Sequence, residues 1–203
     1  EIINMIYFAL RDHNWNTYHG AIKNEKIKET KKGFEISYRS VISEGTIHYV
    51  YDCLIKASSD GKLEFRIRGE SFSNFRSNRI GFCVLHSISN YAGKPCMIHS
   101  ADKREINGTF PVNTEPHQLF INIKSMRWEP VKGWEAEIKF DGDIFETEDQ
   151  RNWSDSTFKT YSTPLSKPFP ADIRMGDTIK QKITLNLNVL RKDSSSKIRD
   201  NPP

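Results

Sequence analysis

The chain has 203 residues, 28% of them charged and 36% hydrophobic, with a formal net charge of +4. That length suits one β domain or at most two small ones, since all-β domains run to about 200–250 residues. Charges of both signs are interspersed rather than striped, so no nucleic-acid partner is indicated, and no apolar run approaches the ~20 residues of a transmembrane helix.

Cys53, Cys83 and Cys96 show no metal-ligand spacing. An odd, irregular set reads as buried free thiols in a reducing compartment, hence a cytoplasmic location. The sequons Asn107-Gly-Thr109 and Asn152-Trp-Ser154 are then expected to be chance matches.

In chain order, IINMIYFAL is a mixed apolar run of strand length, followed by a turn-rich stretch carrying His13, Trp15, Tyr18 and His19 that reads as an ordered loop over one end of the domain. A period of two then sets in, which is the signature of half-buried strands. Phe34, Ile36 and Tyr38 share one face, and Ile47, Tyr49, Tyr51, Cys53 and Ile55 share another. Asp60-Gly61 marks a hairpin, and Leu63, Phe65 and Ile67 resume the alternation. These three strands make an antiparallel meander.

RIGFCVLH is a near-continuous apolar strand bracketed by Arg79 and His86, at the ends where side chains reach the mouth of a sheet. PCMIHS is a short strand and ADKREING an exposed connection. FPVNTEPHQLF is an extended segment with two prolines, ending near His117. QLFINIKSMRWEP forms a strand, and Trp134, Ala136, Ile138 and Phe140 mark the inward face of the next one. Asp141-Gly142 is a second hairpin signal.

That signal leads into the most unusual stretch, Asp143 to Tyr161, where seven charged residues stand among Trp153, Phe158 and Tyr161. Extended backbone would project Glu146 and Glu148 from one face and Phe145, Thr147 and Asp149 from the other. The two glutamates would stand ~7 Å apart, with Arg151 and Lys159 as local cations. The stretch reads equally as a polar ligand floor or as an ion-paired surface hairpin. TFKTYST, a proline-rich connection and the long strand TIKQKITLNLNVL follow.

About twelve strands and no sustained i, i+3, i+4, i+7 pattern predict an all-β fold: a large antiparallel β-sandwich over residues 1–190, comparable to the supersandwich of galactose-mutarotase-like domains. Residues 191–203 read as a polar linker or tail leading to a further carboxy-terminal domain. No nucleophile elbow, P-loop, zincin or dinucleotide motif occurs, so neither a cofactor nor a metal is expected. What remains is acid/base work on a sugar-like molecule. Glu146, Glu148 or Asp149 would act as base, Arg151 and Lys159 would hold a carboxylate or lactone oxygen, and Trp153 would stack on a ring.

Five segments carry a resemblance to a known family: RDHNWNTY (11–18), NRIGFCVLH (78–86), AGKPC (92–96), FPVNTEPHQLF (110–120) and, most specifically, GDIFETEDQRNWSDSTFKTYSTPLSKPFP (142–170). They resemble the amino-terminal region of bacterial D-apionate lactonases. The resemblance implies hydrolytic opening of D-apionolactone to D-apionate in apiose catabolism, with a glycoside-hydrolase-like barrel following this domain. In a lactone hydrolase, Arg79 would join Arg151 or Lys159 in stabilising the oxyanion, and His86 or His117 would shuttle the proton. Asn152 and Asp155 complete the candidate substrate-binding set with Trp153. The alternatives are a non-catalytic carbohydrate-binding or interdomain-packing sandwich, and a mutarotase- or epimerase-like sugar enzyme.

Overall fold

The structure is a computed structural model that describes residues 1–190; the expected tail, 191–203, lies outside the described residues. Strands dominate. The sheet paths connect β1 (Met5–Asp12), β2 (Thr17–Tyr18), β3 (Ala21–Thr30), β4 (Gly33–Glu44), β5 (Ile47–Ser58), β6 (Lys62–Ser71), β7 (Phe75–Ser87), β8 (Pro95–Ser100) and β9 (Glu105–Thr109). They continue through β10 (Phe120–Val131), β11 (Trp134–Asp141), β12 (Phe145–Asp149), β13 (Thr157–Tyr161), β14 (Ala171–Ile173) and β15 (Thr178–Val189). Among the described residues helix is confined to one turn, α1 (Ile88–Tyr91), and a 3-10 turn, η1 (Gln150–Trp153). The all-β expectation holds, every described ladder is antiparallel, and the three cysteines are buried and free.

The meander β4–β5–β6 follows the alternation read from the sequence, with the Asp60-Gly61 hairpin closing between Ser58 and Lys62. The second Asp-Gly signal corrects an expectation. Asp141-Gly142 is not a hairpin turn, because β11 and β12 pair with β10 and not with each other. Ser125 faces Lys139 of β11, and Ile123 faces Phe145 of β12, while β8 runs along the opposite edge of β10.

The two segments are thus one long strand bent at Gly142. At φ +93° that glycine has no room for a side chain, since a Cβ would stand 1.9 Å from the carbonyl oxygen of Lys180. Beyond β11 the ladder continues through β15, β6, β5, β4 and β3; beyond β12 it continues through β13, β7, β1 and β2. The bend splits the strand between two leaves, and the leaves fold onto each other.

The main core lies between them. Ile67, Cys53, Ile138, Phe140 and Ile183 come from one leaf, and Phe82, Val84, Phe145, Phe158 and Ile123 from the other and its junction. Ala136, Ile138 and Phe140 are buried as expected, but Trp134, the first residue after the turn from β10, stays 40% exposed. Strands β3 and β9 gave no signal in the sequence. Every residue of β3 is exposed at the edge of the sheet, so burial imposes no periodicity on it.

Because side chains alternate along a strand, one face of the β1–β7–β13–β12 leaf carries Phe82, Val84 and Phe158 into the core. The other carries Arg11, Arg79, Lys159, Tyr161, Glu146 and Glu148 away from it. No described helix is long and apolar enough to cross a membrane.

Candidate functional site

The outer face of this leaf is polar, yet largely buried. Three segments cover it: η1 with Trp153, the loop after β1 with Trp15, and residues 162–170. Asp12 fixes the Trp15 loop. Its carboxylate accepts hydrogen bonds from the backbone N–H groups of Asn14 and Asn16, the Asn16 amide and the Tyr18 hydroxyl, at 2.8–3.1 Å. Burial pushes the Asp12 carboxyl up, but these donors outweigh it and hold its pKa below the ordinary value. Trp15 then packs edge-on against Phe169, with ring centroids 6.0 Å apart.

Glu146 fixes the third cover. It accepts the Tyr161 hydroxyl at 2.5 Å and the backbone N–H of Leu165 at 2.7 Å. The Tyr161 ring in turn seats Arg79, whose guanidinium carbon lies 3.4 Å from the ring centroid. Burial pushes the Tyr161 hydroxyl well above its ordinary pKa, so it stays a neutral donor.

Between these covers is a cavity of about 530 Å³, lined by Arg11, Trp15, Arg79, Glu148, Gln150, Trp153, Asp155, Lys159 and Leu165. At its base, a single oxygen of Glu148, Oε1, accepts from Lys159 Nζ at 2.8 Å, Gln150 Nε2 at 2.8 Å and Arg79 Nη1 at 3.3 Å. Lys159 also donates to Gln150 Oε1 at 2.9 Å. Burial draws the Lys159 ammonium below its ordinary pKa; Glu148 opposes that shift and the charge of Arg79 adds to it. Three donors therefore orient one carboxylate, while its Oε2 has no hydrogen-bond partner among the described residues. Trp153, 75% exposed, forms an aromatic wall at the mouth.

Of the residues singled out from the sequence, the structure brings Arg79, Glu148, Trp153, Asp155 and Lys159 to this cavity. Glu146 lies beneath it, occupied by Tyr161 and Leu165. Asp149 projects from the opposite face, as the alternation required, and is engaged with Arg151. Arg151 donates Nε to Asp149 Oδ1 at 2.9 Å and Nη2 to Oδ2 at 2.7 Å, and it also donates to the carbonyls of Pro111, Val112 and Asn113. Burial raises the Asp149 pKa, but Arg151 and the backbone N–H of Glu115 outweigh that and hold it below the ordinary range. Asn152 donates to the carbonyls of Glu115 and Asp149 in the same clamp.

His86 is fully buried among Tyr91, Phe110 and Trp128 rather than at a sheet mouth. Its Nε2 shares a hydrogen bond with Thr160 Oγ1 at 2.9 Å, and burial lowers its pKa to about 3. His117 is exposed in the loop ahead of β10. Neither histidine lines the cavity.

Arg11, Trp15, Gln150 and Leu165 line the site without having been singled out for it. Trp15 stood out as an aromatic in a polar loop, whereas Arg11 gave no local signal because its relevance depends on pairing with a strand 68 residues away. A larger concavity of about 870 Å³ lies on the outer face of the other leaf. Its Arg39, Arg66 and Lys182 pair with Asp52, Glu64 and Asp141 in half-exposed ladders. The smaller cavity is the better candidate, because its charged groups are buried and converge on one carboxylate. Among the described residues no group of three or more His, Cys, Asp or Glu side chains is placed to hold a metal ion.

Known proteins resemble the chain in sequence and in fold. The profile of the family described as the N-terminal domain of D-apionate lactonase matches residues 1–189. A curated relative, the D-apionate lactonase of Brucella anthropi, is 34% identical over 194 residues, covering 95% of this chain and 32% of its own length. The chain thus spans about one third of that relative. Among solved structures, a glycoside hydrolase family 97 enzyme from Pseudoalteromonas sp. in complex with acarbose superposes with a TM-score of 0.55 at 12% identity, over 92% of this chain and 31% of that one. A galactose 1-epimerase from Lactobacillus acidophilus superposes with a TM-score of 0.51 at 5% identity, over 94% and 79%. At those identities the likeness concerns the fold, a mutarotase-like β-sandwich.

Proposed function

Because the chain belongs to the D-apionate lactonase N-terminal domain family, we propose that it is the amino-terminal part of an enzyme that opens a sugar-acid lactone, D-apionolactone to D-apionate, and that the cavity above Glu148 takes that substrate. One observation carries the reading: Oε1 of Glu148 is held by three donors while Oε2 is left to the cavity. A carboxylate oriented in this way suits general-base work or a sugar hydroxyl.

In the hydrolysis, a water oxygen attacks the lactone carbonyl carbon and its proton passes to Glu148 Oε2. The carbonyl oxygen becomes an oxyanion beside Arg79 or Lys159. On collapse the bond to the ring oxygen breaks, and that oxygen takes the proton back from Glu148. The net change adds one water to the lactone and yields the hydroxy acid. Trp15 and Trp153 wall the ring, and Asp155 at the rim accepts from its hydroxyls. A carboxy-terminal domain, for which the greater length of the curated relative leaves room, is the expected partner.

A second reading, sugar binding without chemistry, draws on the exposed Trp153, since an open aromatic platform serves stacking as well as catalysis. Lactone turnover by the full-length enzyme separates the two. Glu148→Gln keeps the size and the hydrogen bond from Lys159, and under the first reading it lowers kcat by about 10²–10⁴-fold. Unchanged kcat would place the chemistry elsewhere and leave this domain a binding module.

A further inference from the structure

Two arginines stand directly opposite each other across the β1–β7 ladder. Arg11 and Arg79 are register partners, and both project from the outer face into the cavity wall. Like charges at directly opposed positions of an antiparallel pair repel, with Cβ atoms only about 4.5–5.5 Å apart. A local carboxylate ordinarily relieves such a pair. Here Glu148 reaches only Arg79, through one Nη1 contact at 3.3 Å, and its short contact is with Lys159.

Both Nε atoms are buried and have no hydrogen-bond partner among the described residues. Arg79 is 3% exposed, and among the described residues its side chain makes one hydrogen bond, the Nη1 contact to Glu148. The Nη groups of Arg11 and Nη2 of Arg79 also have no hydrogen-bond partner among the described residues, and it is with these that an acceptor entering the cavity would pair. Two adjacent guanidinium groups match a planar oxyanion through parallel N–H donors, a geometry that a neutral carbonyl or hydroxyl does not exploit.

We propose that Arg11 and Arg79 form a carboxylate subsite that takes the carboxylate of the ring-opened sugar acid, so that the cavity holds the acid more tightly than the lactone. Trp15, with its ring 5.5 Å from the Arg79 guanidinium carbon, closes this subsite from above. Because the preference favours product over substrate, the enzyme is subject to inhibition by the acid it makes. The proposal rests on reading the cavity as the sugar-lactone site. Its test is nevertheless independent of turnover, which reports on Glu148, whereas equilibrium binding reports on the two arginines.

The test is a titration of the 203-residue chain with sodium D-erythronate, D-erythronolactone, erythritol and sodium sulfate at constant ionic strength, followed by tryptophan fluorescence and calorimetry. Saturable binding of erythronate is expected, at least tenfold tighter than that of the lactone or erythritol. Arg11→Met should lose that preference, and Arg11→Lys, which keeps the charge but not the planar fork, should weaken erythronate several-fold. Thermal melts of both variants establish that they fold, and if Arg11→Met does not, Arg11→Lys carries the test. Equal affinity for acid and lactone, undiminished erythronate binding in the Arg11 variants, or tighter binding of sulfate than of erythronate would each overturn the assignment.

Discussion

Lys159 stands directly opposite Glu148 in the β12–β13 ladder, with its Nζ 2.8 Å from Oε1, and both side chains are largely withdrawn from water. The pair is the floor of the cavity and the point where the polar face of this leaf is most exposed to error. Burial works against the Lys159 ammonium, so the partner carboxylate is what keeps the charge tolerable there.

Removing one partner of such a pair should be worse than removing both. We expect Lys159→Met to lower stability by about 3 kcal/mol, since it leaves Glu148 with only Gln150 and the more distant Arg79. Combining it with Glu148→Gln should recover at least about 1 kcal/mol of the summed losses. Urea unfolding of the two single variants and the double variant gives the coupling directly, and strict additivity would mean that the pair does not act as a unit.

The Asp149–Arg151 clamp ties η1 to residues 111–115 on the side of the leaf away from the cavity. Asp149→Asn should destabilise the protein by about 2–4 kcal/mol, because the half-buried Arg151 guanidinium loses its buried counter-charge. Amide exchange at Glu115 and Arg151, the two backbone groups that donate to Asp149, should accelerate most. Protection unchanged at both would show that the clamp contributes nothing to holding the loop.

His86 makes stability depend on acid in a defined window. Its folded pKa is about 3 against 6.5 for the free side chain, so between those values the unfolded chain takes up a proton that the folded chain does not. Stability therefore falls as pH drops from about 6.5 toward 3, by at most about 1.4 kcal/mol per pH unit from this group. His86→Phe, whose ring would sit among Tyr91, Phe110 and Trp128, should flatten that acid limb in a plot of Tm against pH. An identical slope in the variant would assign the acid sensitivity to other groups.

Much of the fold was legible from local periodicity. Cys53 and Ile67 alternate with exposed Asp52 and Arg68 because one side of each strand meets the core, and that constraint is written directly into adjacent residues. The same rule placed Glu146 and Glu148 on one face and Asp149 on the other. It was silent for β3, which buries nothing, and misleading at Asp141-Gly142, where a turn dipeptide bends the chain from β11 into β12 along the same neighbour instead of reversing it.

The sequence by itself determined most of the core strands, their alternation and the charged, aromatic stretch from which Glu148 and Lys159 come. Which of the two faces of β12 would be core and which would be cavity was settled only by the tertiary structure. That depended on β13 pairing with β7 and on β7 pairing with β1, ladders that join residues some 70 positions apart. Arg11 and Arg79 meet, and His86 disappears into the core, for the same reason: strand alternation is a local property, whereas strand order is fixed by the burial of whole faces.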